Sequence, residues 1–316
     1  MQSQTETTQL SGEEREGSFL HIGTPPSCGN PPPPPILVTM IRDLKDKVIV
    51  ITGASSGIGA ATAIACANLG MNVVLSARRT DKLETLAENI NKKSPNRAIA
   101  ISCDVAHDEP VQKLFAKTHE HFGRLDVVFA NAGYGIFASV LDTNDQEHRH
   151  LFEVNYFGTV RTIKESFPYL ESTPNSLRQY LITSSVVSEV GIPMFGPYAA
   201  TKAAQDGLAS ALRAELAVKD FFVTSIHPAG TSSEFFDVVD DISAEKPAAQ
   251  NTPKHIMQTP QQVAAKITRA IQKPTAEVWP MRSVHWGVSF ATLFPRLRSH
   301  VLKGHAKKLI ASSPPS

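Results

Sequence analysis

Cysteine is scarce in this chain, and that scarcity argues against two kinds of architecture. Three occur in 316 residues, Cys28, Cys66 and Cys103, at separations that suit neither a zinc site nor a disulfide framework. Cys66 falls in an alanine-rich segment and Cys103 at the end of an apolar run, where small apolar packing is expected. A reducing, cytoplasmic setting fits that usage. Net charge is almost absent too: 31 basic against 30 acidic residues leave +1, so nothing global points to nucleic acid. Residues 1–35 hold no apolar run long enough for a signal peptide or a membrane-spanning helix, and Glu13, Glu14 and Glu16 argue against a transit peptide. That segment is polar and ends in consecutive prolines, Pro31–Pro35. It is expected to be a disordered tail, residues 1–42, that stiffens into polyproline; a ligand for a proline-binding domain is the alternative. No internal repeat divides the remainder.

With 41% hydrophobic residues, the rest can bury a substantial core. It is organised around KVIVITGASSGIGAATAIACANLG, residues 47–70. Val48, Ile49, Val50 and Ile51 form a β-branched run, as in a strand buried on both faces of a parallel sheet. Gly53, Gly57 and Gly59 then let the backbone bend and approach a bound group. Ile58 opens an alanine-rich helix whose first amides and dipole favour an anion, with the hydroxyls of Ser55 and Ser56 beside them. A second apolar run, residues 72–77, follows where the next parallel strand belongs. The context suits a dinucleotide pyrophosphate, although G-x-x-x-G-x-G is not the common fingerprint; a structural glycine turn is the plain alternative.

The end of the second strand bears on which dinucleotide binds. A carboxylate there would accept from a ribose 2'-hydroxyl and repel a 2'-phosphate. Ser76, Ala77, Arg78 and Arg79 stand there instead. A guanidinium suits a phosphate, and Arg78 is the better placed, so NADP(H) is preferred over NAD(H). Ordinary solvated arginines opening the next helix are the other reading.

Short apolar runs alternate with helical patterns from residue 43 to 281. The alternation predicts an α/β fold, a doubly wound, Rossmann-like parallel sheet with helices on both faces in three α/β/α layers. Further strands are expected at residues 98–103, 125–130, 179–183 and 222–227, six in all. Helices are expected at residues 80–91, 111–122, 145–167 and 195–218. Asp104 and Val105 follow the third strand at its carboxyl edge, where an adenine ring would lie, and Asn131, Ala132 and Gly133 end the fourth. His119 with His121, and His148 with His150, are two apart on predicted helices and make poor metal pairs. His227 reads as a packed strand-end residue.

Chemistry enters after the fifth strand. Ser184 and Ser185 lie at its carboxyl edge, and Tyr198 and Lys202 are one helical turn apart on one face. A tyrosine titrates near pH 10 in isolation (about 10). A nearby ammonium and an oxidised nicotinamide would favour the phenolate and bring that value down, making Tyr198 a proton donor or acceptor.

The glycine turn, Asn131-Ala132-Gly133, Ser185 thirteen positions before Tyr198, and Lys202 together resemble the short-chain dehydrogenase/reductase family from about Lys47 to Trp279. The resemblance implies that Tyr198 is the general acid/base and that Ser185 holds the substrate carbonyl, Ser184 being structural. It implies that Lys202 binds the nicotinamide ribose, that Asn155, in VNYFG, completes a proton relay, and that neither a nucleophile nor a metal is required. It further implies that Pro228, Gly230, Thr231 and Ser233 border the nicotinamide amide and pyrophosphate, that residues 234–260 form a substrate lid, and that the protein is a homodimer or homotetramer. Two positions depart from the pattern. Ala130 replaces an asparagine, and Ala229 replaces a glycine, leaving the backbone path there open.

Ile136, Phe137, Ile192, Met194, Phe195, Phe235 and Phe236 fall in loops. They either rim a pocket for a lipophilic ketone, aldehyde or secondary alcohol, or serve loop packing. After Glu277 no acidic residue follows. Residues 282–316 form a basic amphipathic extension with Arg282, Arg296, Arg298, Lys303, Lys307 and Lys308 around VHWGVSFATLF. That run is too short to span a bilayer; it suits peripheral contact with a membrane surface, the pocket or a subunit interface. Two functions remain, an NADP(H)-dependent oxidoreductase and a catalytically silent NADP(H)-binding regulatory protein. The presence of all four catalytic side chains favours the first.

Overall fold

Why the first strand is apolar throughout is visible in its surroundings. Ile49 and Ile51 pack with Cys66, Leu83 and Ile267 on one face of the sheet, whereas Val48 and Val50 pack with Leu114, Phe115 and Leu170 on the other. Successive side chains point to opposite faces, so a strand covered on both sides has no polar positions to spare. The structure, a computed structural model, describes residues 41–232, Glu234, Phe235, Val239 and residues 256–312, with side chains to Lys307. Residues 1–40 of the expected tail with Cys28, Ser233, Phe236 and most of the expected lid lie outside the described residues, as does the side chain of Lys308, whereas Arg42 of that tail bonds Gln272 and Gln179.

The strands are β1 Val48–Thr52, β2 Asn72–Ala77, β3 Ala98–Ser102, β4 Val127–Ala130, β5 Gln179–Thr183, β6 Phe222–Ile226 and β7 Glu277–Val278. They form one parallel sheet in the order β3-β2-β1-β4-β5-β6-β7. The helices are α1 Gly57–Asn68, α2 Thr80–Lys93, α3 Asp108–Phe122, α4 Asp145–Phe152, α5 Gly158–Ser172, α6 Gly196–Ala217, α7 Pro260–Gln272, α8 Arg282–Leu293 and α9 Pro295–Ser312. Helices α1, α2 and α7 cover one face; α3, α5 and α6 cover the other. The doubly wound α/β class is therefore what the chain forms. From β1 the chain winds outward to β3, and from β4 it winds the other way. The carboxyl ends of β1 and β4 flank the switch point, where such sheets open a crevice.

Three differences from the sequence reading have physical causes. The single helix expected over 145–167 is interrupted by a π-helical turn, Glu153–Phe157, between α4 and α5. That wider turn carries Asn155, whose side chain is bonded to the Tyr134 backbone; such turns recur at functional sites. Strand β7 has only two residues, too few to show a period. Helix α7 was not anticipated, although Thr259 and Gln262 form a capping box around Pro260 at its start. Cys66 and Cys103 are free and buried, and burial pushes the Cys66 thiol up to about 12, which suits inert packing.

Candidate active site

Asn131 ties together the three strand ends that frame the crevice. Its side-chain amide donates to the main-chain oxygens of Thr52 (3.0 Å) and Gly53 (3.2 Å). Its Oδ1 accepts from the Thr183 hydroxyl at 3.1 Å. The glycine turn runs directly over this amide. Gly53 has φ +67°, and a Cβ at Gly59 would stand 2.3 Å from the Gly53 oxygen and 2.8 Å from Asn131 Nδ2, so only glycine lets α1 begin this close to β1. At the start of α1 the N-cap Ser56 makes no side-chain cap and the first turn has no acidic residue. No acidic side chain of the helix itself therefore competes for its first amides.

The two arginines differ in their engagement. Arg79 donates to Ser55 Oγ (2.8 Å), Ser56 Oγ (3.0 Å) and Glu234 (2.7 Å). Lys82 also reaches Glu234, at 2.7 Å, and hydrogen bonds from Lys82 and then Arg79 hold that carboxyl below its usual range. Arg78 is exposed and makes no hydrogen bond or ion pair among the described residues. Both line a cleft of about 450 Å³ with Ser55, Ser56, Gly57 and Ile58 of the turn, and with Asp104 and Val105 beyond β3.

The opposite end of the cleft is built on α6. Tyr198, Lys202 and Asp206 follow at intervals of four and share one face. Tyr198 and Lys202 are both buried. Lys202 Nζ donates to the Thr183 carbonyl at 2.8 Å and lies 5.6 Å from the centre of the Tyr198 ring. Ser185, at the end of β5, hydrogen-bonds Tyr198. The Ser184 hydroxyl instead donates to the Lys202 carbonyl at 3.3 Å. Asn155 is fully buried; its amide donates to the Tyr134 oxygen (2.9 Å) and Thr201 Oγ1 (3.0 Å), while Oδ1 accepts from the Tyr134 N–H (3.0 Å).

Asn131, Ala132, Gly133, Ser185, Tyr198, Lys202, Pro228, Gly230 and Thr231 line the same cleft; Gly59 and Asn155 stand behind its wall. Ala229 is not in the left-handed region, so alanine meets no strain at that departure. Of the apolar loop residues, Phe137, Ile192, Phe195 and Phe235 line the cleft, with Phe235 and Phe195 5.6 and 6.2 Å from the Tyr198 ring. Ile136 and Met194 pack behind them. His227 is packed as expected, stacked on Trp279 at 4.2 Å. The lining or supporting residues that were missed include three that carry charge or can titrate. Asp206 was detectable by its spacing from Lys202, but Glu234 and His305, which also line the cleft, carry no local signal. Both Asp206 carboxylate oxygens are buried with no hydrogen-bond partner among the described residues, one of them 3.7 Å from His227 Nε2.

Burial acts on the phenol against the neighbouring ammonium. It pushes Tyr198 above its ordinary value, the hydrogen bond to Ser185 opposing. It also lowers Lys202 to about 7, with Asp206 opposing. Dehydration of both groups outweighs the pull of the ammonium, so Tyr198 is a neutral phenol at neutral pH. For Lys202 the unfolded chain keeps its proton to about 10.4 while the folded chain releases it near 7. Unfolding between those values takes up a proton, and the cost of the buried charge, full below the lower one, is relieved as pH rises. Denaturant titrations from roughly pH 7 to 9 should show wild-type stability gaining on that of Lys202→Met; parallel curves would contradict the depressed value.

A family model described as short chain dehydrogenase matches residues 47–242. An uncharacterized oxidoreductase of Listeria innocua is 34% identical over 233 residues, covering 73% of this chain and 92% of that protein. An alcohol dehydrogenase from Thermococcus sibiricus, solved with 5-hydroxy-NADP, is 32% identical, with a TM-score of 0.63 over 74% of this chain and 95% of that one. A short chain dehydrogenase/reductase from Burkholderia phymatum, solved with NAD, shares the fold with a TM-score of 0.73 at 23% identity, over 81% of this chain and 96% of that one.

Proposed function

Because this chain belongs to the short chain dehydrogenase family and is an oxidoreductase of that family, we propose that it transfers a hydride between NADP(H) and the carbonyl or secondary alcohol of a lipophilic small molecule. The observation that carries the reading is the meeting of Tyr198, Ser185 and Lys202 at one end of a cleft whose other end is the glycine turn. The narrow backbone at Gly53 and Gly59, the uncapped start of α1 and the unengaged Arg78 fit a phosphorylated dinucleotide. When bound, the nicotinamide supplies or accepts the hydride at C4.

The chain's own residues do the rest. The first amides of α1 hold the pyrophosphate, Arg78 takes the 2'-phosphate, and Asp104 and Val105 border the adenine. Lys202 binds the nicotinamide ribose, and Pro228, Gly230 and Thr231 border the amide. Ser185 donates to the substrate oxygen. Tyr198, a neutral phenol, gives that oxygen its proton in reduction and becomes a phenolate; in oxidation it is the phenolate that takes the proton from the alcohol. Asn155 holds the Tyr134 backbone behind the pair and completes the relay that restores the proton. Phe137, Phe195 and Phe235 exclude water and favour an apolar substrate.

The cofactor preference is tested at Arg78. A hydrogen bond to a charged group contributes about 1.5–3 kcal/mol, so Arg78→Ala should weaken NADPH binding by roughly ten- to a hundredfold in equilibrium titration. NADH affinity should barely change. Equal weakening of the two cofactors would reject the 2'-phosphate role.

A further inference from the structure

The C-terminal helices carry an apolar stripe that no described residue covers. Helix α8 has no buried residue, and Trp286, Phe290 and Leu293 are 68%, 53% and 75% exposed. Their spacing puts them on one face. Helix α9 adds Leu297 and Val301, one turn apart and both exposed, and Phe294 stands between the two helices, its ring 4.5 Å from that of Phe290.

The fastening of α8 uses a different residue. His285 stacks on Trp279 at 4.5 Å, and Trp279 stacks on His227 at the end of β6. That contact anchors the helix and leaves the stripe in solvent. Arg282, Arg296, Lys303 and Lys307 are exposed on the same two helices, and no acidic residue follows Glu277. A symmetric contact between two copies would set these cations against one another. Among the described residues no helix is long and apolar enough to cross a membrane.

We infer that α8 and α9 dock in the plane of an anionic lipid surface. The aromatic and aliphatic side chains enter the boundary between headgroups and acyl chains, and the lysines and arginines meet lipid phosphates and carboxylates. His305 of α9 lines the cleft, so docking brings the mouth of the cleft to the level of the headgroups. The inference stands independently of the proposed reaction.

The test sediments the full chain with vesicles of phosphatidylcholine alone or mixed with phosphatidylserine. Binding to the mixed vesicles should be roughly tenfold the tighter and should fall with added salt. Trp286→Ser combined with Phe290→Ser, and separately Arg296→Gln combined with Lys303→Gln, should each weaken it roughly tenfold while thermal unfolding is unchanged. Absence of wild-type binding, or equal binding to both vesicles, would overturn the inference. So would a dimer, seen by light scattering, that the Trp286→Ser, Phe290→Ser variant dissociates; the stripe would then belong to a second copy.

Discussion

Tyr198→Phe is expected to lower turnover by roughly 10²–10⁴-fold, the range for a lost general acid–base group, while NADPH affinity stays close to that of the wild type. The substitution removes one oxygen and keeps the ring that Phe195 and Phe235 enclose, so the cleft retains its shape. The loss should fall on kcat, because on the proposed mechanism the phenol acts on oxygen as the hydride moves. Steady-state kinetics with a lipophilic ketone, paired with an NADPH titration, separates the two effects. Turnover surviving at the wild-type rate would assign the proton to another group.

Gly59→Ala attacks the other end of the cleft. A Cβ there meets the Gly53 oxygen at 2.3 Å and Asn131 Nδ2 at 2.8 Å. The first obstacle is backbone in a left-handed turn, and the second is the amide that joins β1 to β4. Neither can swing away as a flexible side chain would, so the turn and the first amides of α1 must separate. Such overpacking costs about 1–3 kcal/mol of stability. Losing the alignment of one charge-assisted hydrogen bond, about 1.5–3 kcal/mol, should weaken NADPH by roughly ten- to a hundredfold. Gly304→Ala, whose Cβ would meet no described atom beyond its own helix backbone and chain neighbours within 4 Å, is the control and should cost no stability and leave NADPH affinity unchanged. Wild-type stability and affinity in Gly59→Ala would contradict the close fit of turn and helix.

What the sequence could disclose follows from the range over which each signal acts. The β1 run, the glycine turn and the start of α1 are contiguous, so an apolar strand, a bend and a helix could be read from adjacent residues. The class of sheet followed from repeating that pattern. The pairing of Tyr198 with Lys202 was legible because one helical turn separates them. Asn155 was legible as a residue, whereas the π-helical turn that carries it was not; the bonds its side chain makes there reach Tyr134, 21 positions away, beyond any local pattern. The phenol's titration was legible only in part, because spacing reports the neighbouring ammonium and says nothing of the burial that opposes it. His305 could not have been found, because only the folded path of α9 brings it to the cleft.

The most direct test of the proposed chemistry follows the hydride itself. NADPH carrying deuterium at the reactive face of C4 is incubated with the protein and a panel of lipophilic ketones and aldehydes, and the products are analysed by mass spectrometry. The account predicts an alcohol with one deuterium on its carbinol carbon for each NADPH consumed. Deuterium that stays on a saturably bound cofactor throughout the panel would contradict it and leave a protein that binds the dinucleotide without turning it over.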